Sequence, residues 1–245
     1  MKILAIDTTS PFACAGIFEG GKALGELRLN GGNTHSETIL PAVQFLLGSL
    51  KLTAADLDLF ALSAGPGSFT GVRIGTATVK GLAFGLGKPC VGLSSTECLA
   101  ENLREIGEGA ILCPLLDARR KSVFSALYTV KDGALVRLCP DRLIELAALR
   151  EELAGYGEQP IYLCGDAYEA ASAAFAGLPG LMETPAALRF PAAAGVAAVG
   201  LRAYENALAD GSADKLTDST LAPIYLAPSQ AERERTKKSA KLNGD

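Results

Sequence analysis

Leu59-Phe-Ala-Leu-Ser-Ala-Gly-Pro-Gly-Ser-Phe-Thr-Gly-Val-Arg-Ile-Gly-Thr-Ala-Thr-Val-Lys80 joins an apolar run to a glycine-rich helical segment through a tight turn. The apolar run reads as a buried strand. Backbone amides of a glycine-rich turn that opens a helix can cradle phosphate, because free N–H groups and the positive end of the helix dipole converge there. Gly65, Gly67 and Ser68 are therefore candidates for nucleotide binding, with a plain tight turn as the competing reading. Neither the Gly-Lys-Ser/Thr ending of a P-loop nor the Gly-x-Gly-x-x-Gly spacing is present. Along the helix, Gly71, Gly75, Thr78, Gly81 and Gly85 recur at steps of four, three, three and four, which puts them on one face. Each interior glycine costs about 1 kcal/mol relative to alanine, so the stripe needs a compensating contact. A partner helix is one such contact and packing within the chain is the other. Val72, Val79, Leu82 and Ala83 already give the helix an apolar face of its own.

Outward from this stretch, strands are expected over residues 2–6, 12–18 and 23–29, then again over 110–116, 122–130 and 134–138. Each set begins with an apolar strand that ends on a carboxylate, Asp7 in the first and Asp117 in the second. A pattern that occurs twice predicts two lobes of similar topology with facing carboxylates. Helices are expected over 36–50, behind a Thr34/Glu37 capping box, over 94–104, 141–153 and 167–175, and over 192–209. Alternating strands and helices make the class α/β. The expected division is a first lobe over 1–108 that carries the glycine-striped helix, a second over 109–228 whose last helix could pack back on the first, and a charged, disordered tail over 229–245.

Composition narrows the function classes. The chain has 245 residues, 49% of them hydrophobic and 6% aromatic, and a net charge of −4, which argues against a dominant electrostatic grip on nucleic acid while leaving local basic clusters open. Six cysteines lack any Cys-x-x-Cys spacing, and most fall in strand-like runs, so buried reduced thiols and a cytoplasmic location are expected. Residues 1–7 reach Asp7 too soon for a signal peptide, and the small-apolar segment over 190–201 is broken by Pro191 and Gly195, so no membrane segment is expected.

The one histidine, His35, stands at a helix start, too little for a histidine-based metal site or for activating a serine or cysteine nucleophile. No Gly-x-Ser-x-Gly elbow is present. Phosphoryl chemistry has more support. Asp7, Thr8 and Thr9 at a strand end could set a carboxylate and hydroxyls beside a metal-bound phosphate, with Asp117 across the cleft. Loop capping is the alternative, and the Arg119-Arg120-Lys121 loop could neutralise Asp117.

The blocks Ile3-Leu-Ala-Ile-Asp-Thr-Thr9, His35-Ser-Glu-Thr-Ile-Leu-Pro41, Ser63-Ala-Gly-Pro-Gly-Ser-Phe-Thr-Gly-Val-Arg-Ile-Gly75, Lys80-Gly-Leu-Ala83 and Pro223-Ile-Tyr-Leu226 resemble the TsaB family, formerly YeaZ, of bacterial tRNA threonylcarbamoyladenosine biosynthesis proteins. The resemblance spans about residues 1–226 and implies a duplicated ribonuclease H-like, actin-like ATPase topology. It implies a non-catalytic subunit that pairs with TsaD, forms homodimers when alone and works with the ATPase TsaE. Together these transfer a threonylcarbamoyl group from threonylcarbamoyl-adenylate to the adenosine next to the anticodon of tRNAs reading ANN codons. The family builds both its homodimer and its TsaD pairing from first-lobe helices, which would match the Gly71, Gly75, Thr78, Gly81 and Gly85 stripe. Two metal-binding histidines of TsaD would fall near Leu93 and Glu97, so no metal is expected. No cofactor is required, and ATP or ADP would bind weakly at most, through Asp7, Thr8, Thr9, Gly65, Gly67, Ser68 and Asp117. A kinase-like ATPase and a glycoprotease-like peptidase are the enzyme alternatives.

Overall fold

The computed structural model describes residues 1–227, so the charged tail read from the sequence lies outside the described residues. Apolar strand β1 (Lys2–Asp7) pairs antiparallel with β2 (Ala13–Glu19), which pairs antiparallel with the exposed edge strand β3 (Lys22–Leu29). Helix α1 (His35–Leu50) then crosses to β4 (Leu59–Gly65), helix α2 (Phe69–Leu86) to β5 (Cys90–Ser94), giving the order β3-β2-β1-β4-β5 with β1, β4 and β5 parallel. At the start of α1, the Thr34 N–H donates to the Glu37 carboxylate at 3.3 Å. Ser68 caps α2 by accepting from the Gly71 N–H at 3.3 Å, and Gly87 ends that helix at φ +60°.

Helix α3 (Ser95–Glu101) leads into the second lobe. There β6 (Ile111–Asp117) pairs antiparallel with β7 (Ser122–Ser125) and with β8 (Tyr128–Lys131), and β8 with β9 (Ala134–Arg137). Strand β10 (Arg142–Glu145) extends the sheet beyond β7, helix α4 (Leu146–Ala154) follows, and β11 (Ile161–Cys164) runs parallel to β6. Helix α5 (Tyr168–Ala174) and the short parallel strand β12 (Leu181–Met182) complete the lobe. The expected duplication is therefore present: two sheets, each with three parallel strands and an antiparallel flank, in a two-lobed α/β architecture.

Three local expectations differ. The strand foreseen over 122–130 breaks at Ala126-Leu127, because the Leu127 carbonyl accepts from the Leu138 N–H at 2.7 Å and is drawn out of the ladder. The helix foreseen from 141 begins at Leu146; Arg142–Glu145 instead adds a strand that satisfies the otherwise open edge of β7. The α3 helix stops at Glu101, and a 3-10 turn over Arg104–Ile106 follows.

Helix α6 (Ala193–Ala209) returns from the second lobe to the first sheet. One face of that sheet packs Leu4, Ile6, Phe60 and Leu62 against α1 and α2, and the other packs Ile3, Ala5, Leu59 and Val91 against Val196 and Val199 of α6. Each buried Leu, Ile, Val or Phe among them contributes roughly 1.5–3 kcal/mol. All six cysteines are free thiols, five of them buried. Among the described residues no helix is long and apolar enough to cross a membrane.

Candidate functional site in the cleft between the lobes

Strands β1 and β6 end on Asp7 and Asp117, in different surroundings. Asp7 is only 1% exposed. Its Oδ1 accepts from the Thr9 N–H at 2.8 Å and the Thr9 hydroxyl at 2.7 Å. Burial pushes the Asp7 carboxyl above the usual carboxylate range, with the Thr9 hydrogen bonds pulling the other way. Asp117 is exposed, and its Oδ1 accepts from the Arg119 N–H at 2.8 Å.

A cavity of about 490 Å³ lies between the lobes, lined by Thr9, Ser10, Gly67 and Ser68 from the first and by Asp117, Arg119 and Asp166 from the second. Of the residues read from the sequence, Thr9, Gly67, Ser68 and Asp117 therefore meet in one place. Asp7, Thr8 and Gly65 do not line it. The chain itself fills the space in front of them. A β-carbon on Gly67 would strike the Thr9 carbonyl, and the Ser68 N–H donates to that same oxygen at 2.7 Å. The amide that a bound phosphate would want is spent inside the fold. Gly65 is covered by the Ile224 carbonyl, held there by the Ile224 N–H, which donates to Ala64 O at 2.7 Å.

Asp166 was not singled out in the sequence, although it follows a third apolar strand, β11, as Asp7 and Asp117 end theirs. Its Oδ1 accepts from the Asp117 N–H at 2.9 Å. Burial, with Asp117 and Asp7 adding to it, pushes its carboxyl up to about 6, against the pull of that hydrogen bond. His35 also lines the cavity, with Nε2 placed 2.8 Å from the Ser10 carbonyl. On the rim, the Arg73 guanidinium lies 3.9 Å from the Phe69 ring centroid and its Nε–H donates to the Tyr225 hydroxyl at 2.9 Å. On the opposite rim, Arg119, Arg120 and Lys121 adopt φ values of +69°, +55° and +63°, conformations that cost each side chain on the order of 1 kcal/mol.

The glycine stripe of α2 divides. β-Carbons on Gly71 and Gly75 would meet the carbonyl and the hydroxyl of Thr8, so these two serve close approach within the chain, and the expectation that they face a partner is corrected. Thr78 is half-buried and donates to Ile74 O at 2.9 Å. Gly81 and Gly85 are exposed with open space before them. The reason is divergence: the β1 loop covers the start of α2 and leaves its end bare.

Leu93 is buried in the core under α6, and Glu97 pairs with Arg137 at 3.2 Å and Arg202 at 3.9 Å. Beside them, Asp141 accepts from the hydroxyls of Ser94, at 2.7 Å, and Thr96, and pairs with Arg137 at 3.0 Å. An ion-pair network thus occupies the place named for histidines. Among the described residues no three His, Cys, Asp or Glu side chains gather as a metal cluster would need.

The family described as "TsaD: tRNA N6-adenosine threonylcarbamoyltransferase" matches residues 31–234. The tRNA threonylcarbamoyladenosine biosynthesis protein TsaB of Bacillus subtilis is 37% identical over 153 residues, 62% of this chain and 66% of that protein. Its counterpart of the same name in Escherichia coli is 36% identical over 129 residues, 52% of this chain and 55% of that protein. The chain thus spans between about half and two-thirds of these curated relatives. In fold, it superposes on YeaZ from Pseudomonas aeruginosa with a TM-score of 0.73 at 23% identity, covering 92% of this chain and 99% of that one.

Proposed function

The chain belongs to the TsaD family of tRNA N6-adenosine threonylcarbamoyltransferases, in its TsaB/YeaZ branch, and from that premise we propose that it is a non-catalytic subunit that binds and activates TsaD. In this reading TsaD, helped by the ATPase TsaE, carries the threonylcarbamoyl group to the adenosine beside the anticodon, in the cytoplasm. The observation that carries the reading is the cleft itself. Thr9 occupies the Gly67–Ser68 turn, and a core leucine and a paired glutamate stand where TsaD would hold metal-binding imidazoles. A nucleotide there meets groups already engaged, with the Thr9 N–H and hydroxyl held by Asp7 and the Ser68 N–H by the Thr9 carbonyl, and no lysine lines the cavity, so ATP or ADP binds weakly.

The first lobe also offers a docking face. Helices α1 and α2 lie side by side, and Phe45 and Phe84 on them are 63% and 76% exposed. Large rings left in water on adjoining helices, next to the open Gly81 and Gly85, fit a partner helix. TsaD is the occupant in the working complex, and a second copy of the chain when TsaD is absent.

The deciding experiment reconstitutes tRNA modification with matched TsaD, TsaE and adenylate synthase, with and without this chain. Modification that requires the chain, and a Phe84→Asp variant that stays folded but neither co-elutes with TsaD nor supports modification, are expected. Full modification without the chain, or steady ATP hydrolysis by the chain alone, overturns the reading.

A further inference from the structure

We propose that the mouth of the cleft is a contact surface for an RNA backbone, with Arg119, Arg120 and Lys121 taking phosphates on one rim and Arg73 and Tyr225 supplying a cation and a stacking ring on the other. The turn between β6 and β7 is made of three consecutive cations in the left-handed region. Glycine or asparagine would close the same turn without that strain. Bulky charged side chains held there are explained by what they present outward. Their main chain is pinned: the Arg119 carbonyl accepts from the Ser122 N–H at 3.1 Å and the Lys121 carbonyl from the Leu146 N–H at 2.9 Å. The cations are thus presented from a fixed loop, which lowers the ordering cost of binding.

The charges themselves are unspent. Arg119 has only Asp117, at 3.9 Å, and among the described residues Arg120 and Lys121 have no carboxylate within 4 Å. Arg119 lines the cavity, whereas Arg120 and Lys121 lie outside it. A mononucleotide seated in the cavity would reach one of the three, so a ligand that uses all of them is an extended polyanion crossing the mouth. The far rim gives the second half of the chemistry. Arg73 is exposed and backed by Phe69, and Tyr225 is 44% exposed. Cations that follow a backbone, with aromatic faces on which bases stack, are how single strands of nucleic acid are held. Acidic protein segments share the charge but have no use for the ring. The choice of RNA over other polyanions rests also on the function proposed above; the presentation of the cations does not.

The test uses the full chain and a fluorescent RNA stem-loop, with binding followed by anisotropy across a salt series. In R120G/K121G the charges go while glycine suits the positive φ, so the variant should melt at or above the parent temperature. Its affinity should fall about tenfold at low salt, and the slope of log K against log salt should become shallower by about 1.4, two single-strand contacts at roughly 0.7 each. Tyr225→Leu should weaken binding several-fold with the slope unchanged. Absence of RNA binding by the parent, or an unchanged slope in R120G/K121G, overturns the proposal, as does displacement of RNA by polyglutamate or ATP at matched charge. A chain that supports modification yet binds no RNA refutes only this surface; one that binds RNA with the expected slope yet is dispensable for modification refutes only the function above.

Discussion

Asp166 shows what a single carboxyl costs when the fold shuts it beside two others. Its value near 6 lies above the ordinary 3.8, so the folded chain holds the proton more tightly than the unfolded one. The stabilisation is fully present below about pH 4 and is lost as pH rises through 6. Asp166→Asn keeps an oxygen for the Asp117 N–H and removes the charge. It should stabilise the chain at pH 7.5 by about 2 kcal/mol and flatten the pH dependence between 4 and 6. Urea unfolding at pH 4.5 and 7.5 checks this, and a variant with the parent's pH dependence would show that Asp166 is not the group responsible. Gly71→Ala tests the close approach of α2 to the β1 loop. A methyl pressed on the Thr8 carbonyl should cost about 1–3 kcal/mol, whereas an interior glycine in open surroundings gains stability on the same change. At this scale the sequence was legible where chemistry follows from chain order, as with Asp7 and Asp117 at strand ends. It was silent on Thr9 plugging the Gly67 turn, because that contact exists only after β1 and β4 pair.

Among the elements, α2 is the instructive one. Helical periodicity fixes the direction in which Gly71, Gly75, Thr78, Gly81 and Gly85 point, but not what stands in that direction, and one stripe serves two purposes along its length. Gly81→Leu should therefore fold with undiminished stability, since leucine is the better helix former and nothing stands in its way. In sedimentation it should prevent self-association and TsaD binding; a folded variant that still pairs would return the open end of α2 to plain surface. The β10 strand was missed for a related reason. Arg142-Leu143-Ile144-Glu145 is too short for either period to declare itself, and the open edge of β7 decided the outcome.

Across the whole molecule, the two lobes are tied by the network around Asp141, which joins Ser94 and Thr96 of one to Arg137 of the other. Asp141→Ala leaves Arg137 with Glu97 alone and the Ser94 and Thr96 hydroxyls with each other and Tyr128, and should cost about 1–2 kcal/mol. Faster proteolytic nicking between the lobes would accompany it, and an unaltered melt would mean that the Glu97–Arg137 pair and apolar contact hold the lobes without Asp141. The duplicated architecture was readable because each lobe repeats its own local pattern. The return of α6 to the first sheet is a long-range fact with consequences for how the protein comes into being. Ile3, Ala5, Leu59 and Val91 stay uncovered until residues 193–209 have left the ribosome. A nascent chain that has finished its first lobe is thus a sticky, half-roofed sheet until that helix arrives, and the cell must shield it or outrun it.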